Sequence, residues 1–324
     1  VADMAATSHE KDQRGMAQIR VLFNASDYDT ELSPQFMRNA LYLNTGTGRM
    51  REAAQLAGIA RTDWTWSPRL EDLDNDGYLD LHTTTGMVRE FHNLDLLGRI
   101  IGIESFDESR RIIRSSPPMA EPNLVYRNFG DLRFEECGAA WGLDHNTVSF
   151  GAAFGDLDGD GDLDLVVANY EAGATVLRND SDSGHRAIVA LRGVRSNRHG
   201  IGATVRLETA AGPQVRQLVV SRGYSSSSEP VAHFGLGEAT TIRRLTVEWP
   251  GGAVQTFTDL PVDRRFTITE PAAPPPPPLP AAAPSPQFVD AGDARGLAVA
   301  SREGPFAEGR AQALIPFRFS RRGP

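Results

Sequence analysis

The chain has 324 residues and a net charge of −9, with 33 Lys and Arg against 42 Asp and Glu. That length holds two domains and a tail, and the acidic balance argues against nucleic acid as a partner of the whole chain. No apolar run approaches the ~20 residues of a membrane-spanning helix, and a single cysteine, Cys137, excludes a disulfide framework within these residues.

In chain order, Arg20-Val-Leu-Phe-Asn24 and then Asp27-Tyr28 read as the strand that follows an acidic loop lying upstream. An apolar strand, Leu41-Tyr42-Leu43-Asn44, leads into an Asn-rich turn, Glu52 and a Gly58-Ile59 step. The first acidic run is Asp72-Leu73-Asp74-Asn75-Asp76-Gly77-Tyr78-Leu79-Asp80, with carboxylates at loop positions 1, 3, 5 and 9 and glycine at 6. Acidic side chains on alternate residues converge as the backbone turns, and several oxygen ligands suit a hard divalent cation such as calcium. The glycine permits the bend, and the position-7 carbonyl, that of Tyr78, can add an oxygen. An EF-hand needs a bidentate Glu at position 12, where this chain has Thr83. The flanks are short and apolar, so the loop is predicted to close a β-hairpin.

Residues 87–122 interrupt the pattern with apolar positions at mixed helical spacing and a proline-rich end. They predict an inserted loop with some helix, read equally as a carrier of binding function on a rigid β scaffold or as a decorated surface loop. The pattern then resumes. Val125-Tyr126-Arg127-Asn128, Glu136 and Gly142 repeat the earlier strand, Glu52 and Gly58 at an interval of 84 residues. Asn128 precedes the second acidic run, Asp156 to Asp164, by 28 residues, as Asn44 precedes Asp72. The same logic nominates Asp156, Asp158, Asp160 and Asp164, with the carbonyl of Asp162 at position 7 and its side chain facing solvent; position 12 is Val167. A third partial copy runs from Val166 to Asn179. Short strands punctuated by Gly and Asp suit blades of a β-propeller, here a partial one over 1–184 with about two calcium sites.

Residues 185–270 predict at least five strands separated by Gly-rich turns, a small sandwich or barrel. The Gly223-to-Pro230 segment holds four consecutive serines beside Tyr224. No His or Asp at a recognisable spacing supports nucleophilic chemistry there, and a flexible or hydrogen-bonding loop is expected. Residues 271–286 form a proline-rich linker that would span ~50 Å if extended. Residues 287–324 echo the opening of another propeller-like domain through Phe288-Val-Asp290 and Gly296-Leu297. Two and a half blades do not close a propeller, so further blades and an export signal are expected outside these residues.

The Asp-x-Asp-x-Asp-Gly-x-x-Asp hairpins resemble FG-GAP/VCBS repeats. Ser196-Asn197-Arg-His-Gly200-Ile-Gly202-Ala203, Gly223-Tyr224 through Pro230, His233-Phe234-Gly235-Leu236-Gly237 and Val247-Glu-Trp249-Pro250-Gly251-Gly252 resemble the ASPIC/UnbV domain. Together they are similar to the cartilage acidic protein family and its bacterial relatives over roughly residues 20–270. The resemblance implies an all-β chain of calcium-bearing propeller blades followed by an accessory β domain.

Charge is unevenly placed: residues 1–184 hold 16 basic against 31 acidic side chains, whereas 185–270 hold 11 against 7. An acidic, metal-binding half beside a mildly basic β domain suits a noncatalytic recognition or adhesion module for a protein or glycan ligand. It would be extracellular, periplasmic or cell-surface, where millimolar calcium fills sites of low affinity. The rival reading is an enzyme or accessory protein of natural-product biosynthesis of the enediyne type, from which the UnbV name derives. Cys137 reads as a small packed residue, and no His/Cys cluster has zinc spacing. Asn24-Ala-Ser26 and Asn179-Asp-Ser181 match the glycosylation pattern.

Overall fold

The computed structural model describes residues 2–12, 38–90, 93–272 and 296. The strand expected at Arg20–Asn24, the Asn24 sequon and nearly all of the linker and tail lie outside them. Residues Val1–Pro275 form one compact unit, and the regular elements of its described part are mostly strands, with a few short helices. The all-β expectation holds.

The first half is organised by the acidic runs. Strands β1 (Met4–Ala5), β2 (Tyr42–Asn44) and β3 (Met50–Glu52) precede β4 (Asp63–Glu71) and β5 (Asp80–Thr85). The first acidic run joins β4 to β5, which are antiparallel with Glu71 opposite Asp80. After β6 (Glu121–Pro122) come β7 (Leu124–Asn128), β8 (Phe134–Glu136) and β9 (Asn146–Thr147). The sheet order is β1-β4-β5-β7-β8. The second acidic run joins β10 (Ser149–Gly155) to β11 (Asp164–Asn169), with β12 (Thr175–Leu177) alongside.

The sheets set the phase of the repeat differently from the sequence. A unit counted from Asn44 or Asn128 straddles two sheets, because β7 and β8 pair with the acidic hairpin before them. Hydrogen bonding explains this: the Asn128 backbone N–H donates to Asp80 Oδ1 at 2.8 Å, and that of Asn179 donates to Asp164 Oδ1 at 2.8 Å. The Arg-Asn pair thus belongs to the sheet of the acidic loop before it. The long interruption falls between β5 and β7 and leaves their pairing intact, with His82 opposite Val125. It contains helices Leu94–Ile100 and Phe106–Ser115, the second capped by Ser105 Oγ accepting from the Glu108 N–H.

Leu73, Val125, Ala152, Phe154, Leu163, Leu165 and Val167 form a shared core between the two sheets. Full burial of each large apolar side chain contributes roughly 1.5–3 kcal/mol. Leu73 and Leu163 belong to the acidic runs themselves, so the loops are nailed to this core at position 2 or 8.

The second half is a two-sheet sandwich. One sheet has the order β16 (Val231–Gly237), β13 (His185–Arg192), β19 (Arg264–Thr269). The other has β15 (Pro213–Gln217), β14 (Thr204–Glu208), β17 (Thr241–Glu248), β18 (Val254–Pro261). Inward residues such as Val189, Val205, Leu207, Phe234, Leu245, Val247 and Trp249 fill the space between. Glu270 ties the Ser196-Asn197 turn to the end of β19 by accepting from the backbone N–H groups of Val194, Arg195 and Ser196.

Of the two expectations for the serine run, the fold shows the hydrogen-bonding one. Along β10 the N–H groups of Ala152 and Phe154 donate to Ser226 Oγ and Ser228 Oγ, each at 3.0 Å. The Glu229 N–H donates to the Phe154 carbonyl at 3.1 Å. Alternate N–H groups on a strand edge are met by alternate serines, so β10 has no bare edge there. The S226A/S228A variant should unpair both N–H groups. The expected loss is about 1–3 kcal/mol for each group that stays buried, read as a lowered urea midpoint. An unchanged midpoint would show that water replaces the serines at no cost.

Candidate metal centre

Each acidic run needs two left-handed residues to fold back on itself. These are Asn75 (φ 58°) and Gly77 (φ 97°) in the first loop, and Gly159 (φ 85°) and Gly161 (φ 100°) in the second. Glycine adopts this conformation freely, and asparagine tolerates it better than most residues.

The turns bring three of the four nominated carboxylates together. Asp72, Asp74 and Asp80 each place an oxygen within 4.8 Å of the others, and Asp156, Asp158 and Asp164 do the same. The ninth residue is oriented identically in both loops. Asp80 Oδ2 accepts from the Leu73 N–H at 3.0 Å, and Asp164 Oδ2 accepts from the Leu157 N–H at 2.7 Å. The fifth residues are not in these clusters. Asp76 Oδ1 takes the Tyr78 N–H at 2.9 Å, and Asp160 Oδ1 takes the Asp162 N–H at 2.9 Å. At position 7, Tyr78 projects its ring outward and packs it on the Gly130 turn.

Asp162 departs from expectation. Its side chain is buried, accepts from Asn75 Nδ2 at 2.9 Å and pairs with Arg186 Nε at 2.7 Å. The second loop lies against the first, so a side chain that would face water in a lone hairpin here bridges the two loops to β13.

The loops differ in environment. In the first, Asp72 and Asp80 are buried, and Asp72 Oδ1 and Asp74 Oδ1 are buried without any hydrogen-bond partner. Unpaired buried carboxylate oxygens are costly, and a cation among them removes that cost. Arg127 offsets part of the charge, with its Nη2 2.6 Å from Asp74 Oδ2. Burial, and then the neighbouring carboxylates, push Asp72 up to about 8. Burial likewise raises Asp80 to about 7, against the N–H bonds from Asn128 and Leu73. In the second loop Asp158 and Asp160 are exposed. The donor set of both loops, all oxygen, fits calcium.

The first loop also carries the sandwich. Asp72 Oδ2 accepts the Gly235 N–H at 3.1 Å, and the Asn75 carbonyl accepts the Gly237 N–H at 2.8 Å. A Cβ on Gly235 would stand 2.1 Å from Asp72 Oδ2 and 2.5 Å from Asn75 Cα. Close approach is therefore why glycine separates the core residues Phe234 and Leu236. Asn179 Nδ2 donates to the Leu73 carbonyl at 2.8 Å, so this sequon's amide is spent within the fold. Asn75, Arg127, Asn128, Asn179, Arg186 and Gly235 thus shape the site without having been nominated. Only the repeated Arg-Asn pair left a signal in the sequence.

Three outcomes are expected. Calorimetry should lose one calcium site in D74A and the other in D158A; unchanged stoichiometry in either would exclude that loop. The G235A variant should be destabilised by about 1–3 kcal/mol through overpacking, and a wild-type denaturation midpoint would contradict the close approach. Without metal, Asp72 and Asp80 keep protons that the unfolded chain loses near 3.8. Their contribution to stability therefore falls as pH rises from about 4 to about 8. Calcium binding at neutral pH should displace those protons, giving heats that differ between buffers of unlike ionisation enthalpy. Equal heats would contradict the protonated state.

Comparison with known proteins agrees with this division of the chain. A model of FG-GAP-like repeats matches residues 22–83 and 113–194, the gap falling on the helical interruption. A model of the ASPIC and UnbV domain matches residues 193–275. The chain is 28% identical to human cartilage acidic protein 1 over 290 residues, which cover 78% of this chain and 43% of that protein. The mouse protein of the same name is 27% identical over 290 residues, covering 78% of this chain and 44% of its own. The Xenopus tropicalis protein is 35% identical over 136 residues, 40% of this chain and 21% of its own. This chain therefore spans less than half the length of the relatives it matches. It is a chain of FG-GAP-like repeats, propeller-like in fold, joined to an ASPIC and UnbV domain, and its relatives bear the name cartilage acidic protein 1.

Proposed function

We propose that the chain is a noncatalytic, calcium-stabilised recognition or adhesion module that works outside the cytoplasm. The observation that carries this reading is the pair of buried, unpartnered oxygens, Asp72 Oδ1 and Asp74 Oδ1, at the centre of an all-oxygen cluster. Asp72, Asp74 and Asp80 would hold one calcium ion, and Asp156, Asp158 and Asp164 the other. Asp76 and Asp160, and the carbonyls of Tyr78 and Asp162, would complete the spheres. The ion supplies charge neutralisation to a crowded hairpin and no chemistry to a substrate. Calcium loops of extracellular modules bind at ~0.1–1 mM, an affinity that suits a working environment outside the cell. Among the described residues no helix is long and apolar enough to cross a membrane.

The reactive groups elsewhere support a binding role. Burial pushes the Cys137 thiol up to about 12, away from a thiolate nucleophile. Burial also lowers His82 and His233 to about 3, as packed neutral imidazoles. The ligand would be a protein or a glycan.

A chelator should lower the melting temperature of the purified chain, and calcium should restore it; a hundredfold excess over the dissociation constant stabilises by about 2.7 kcal/mol. A glycan and protein array probed with calcium, then with chelator, tests the recognition role. Binding that survives chelation unchanged, or a melting temperature indifferent to calcium, would overturn it.

A further inference from the structure

Beyond their acidic hairpins the two sheets end differently. In the first, β7 is followed by β8; in the second, β12 is the edge among the described residues. The chain starts the same turn after each. Asn128 Oδ1 accepts the Gly130 N–H at 3.0 Å, and Asn179 Oδ1 accepts the Ser181 N–H at 3.1 Å. After Asn128 the chain returns as β8. After Asn179 it is drawn away: Ser183 Oγ donates to the Asp74 carbonyl at 2.7 Å, and the chain runs on into β13. We propose that the β12 edge and the cleft beside it receive a fourth strand from another protein, an extended segment in which an acidic residue follows an aromatic one. The inference rests on the recognition reading and deepens it, naming a peptide rather than a glycan as the ligand.

The repeat shows what the cleft fits. In the first sheet Ala57, Ile59, Leu81 and Tyr126 form a core, and Leu132 and Phe134 from the β8 arm pack against it. In the second, Trp141, Leu143 and Leu165 stand 84 residues on from Ala57, Ile59 and Leu81. Leu177 lies opposite Leu165 as Tyr126 lies opposite Leu81. These four counterparts line an open cleft of about 550 Å³, a size within the roughly 300–1,000 Å³ of ligand sites. The positions 84 residues on from Leu132 and Phe134 are Arg216 and Leu218, and both are spent in the sandwich, Arg216 on β15 and Leu218 in its core. Asp74 and Arg127, which also border the cleft, neutralise each other at 2.6 Å.

Backbone and charge agree with the packing. The Val125 carbonyl accepts the Cys137 N–H at 2.8 Å, and Arg127 lies opposite Glu135. Their counterparts are Val176, 64% exposed, and Arg178, which bonds Asp180 at the rim of the cleft. A bare strand edge pairs readily with another chain. In such strand addition the ladder gives affinity and pockets for alternate side chains give specificity. An aromatic residue across from Asn179, as Phe134 is across from Asn128, would enter the apolar cleft. The acidic residue after it would face Arg178, as Glu135 faces Arg127.

The probe is a synthetic peptide of residues 129–136 with a fluorophore at its N-terminus, titrated into the whole chain at saturating calcium. Anisotropy should rise saturably, and alanine at the peptide's Phe134 position should weaken binding by about tenfold or more. In the wild-type chain the peptide should slow amide exchange at Val176 and Arg178, a readout independent of how any variant folds. V176P removes an edge N–H, a substitution that edge strands tolerate, and should abolish binding. No saturable binding, equal affinity for the two peptides, or binding undiminished in V176P would overturn the proposal. So would exchange at Val176 and Arg178 already slow without peptide, which would mean that a segment of the same chain covers the edge, or a dimer that the peptide fails to dissociate. If the peptide fails while the array still shows a calcium-dependent ligand, the docking site alone falls and the recognition reading stands.

Discussion

The crowding of Asp72, Asp74 and Asp80, whose oxygens lie within 4.8 Å of one another, is the constraint on which the rest depends. Each neighbour of the first loop answers it. Arg127 supplies positive charge to Asp74, the Gly77 and Gly235 N–H groups point at Asp72, and the Leu73 and Asn128 N–H groups point at Asp80. Two of these donors come from strands far along the chain. The loop is thus where the propeller-like sheet, the next sheet's acidic run and the sandwich meet, and a calcium ion there would act on all three.

How much of this was legible in the sequence follows from which contacts are local. The two acidic hairpins could be read because their carboxylates alternate within nine residues and the offsets recur, although the fifth-position Asp76 and Asp160 lie outside the clusters the turns form. The sandwich could be read because its strands alternate. Asp162 was misread because its surroundings are set by Asn75 and Arg186, residues that only tertiary packing brings near it. The phase of the repeat was misread for a similar reason. The Asn-rich turn is conspicuous in sequence, but its hydrogen bonds run back to the preceding acidic loop.

Serines 225–228 show how composition hides function. Read alone, they suggest a loop that is either flexible or hydrogen-bonding. In the fold, Ser226 and Ser228 act as surrogate ladder partners for β10, while Arg69 crosses from β4 to bond both β10 and the loop. Short hydroxyls suit this role because they accept from a strand N–H without widening the gap. The same packing leaves Arg69 and His233 buried, so the junction of sheet and sandwich is polar where a stable interface is more often apolar.

The central claim is that calcium in the first loop fixes the contact between that loop and β16. Native-state hydrogen exchange of the Gly77, Gly235 and Gly237 amides, with calcium and with chelator, tests it most directly. The account predicts that all three amides gain protection together when calcium binds, and that D74A abolishes the gain. Protection at Gly235 and Gly237 that is the same in both conditions would contradict it, because the sandwich would then be held without the ion.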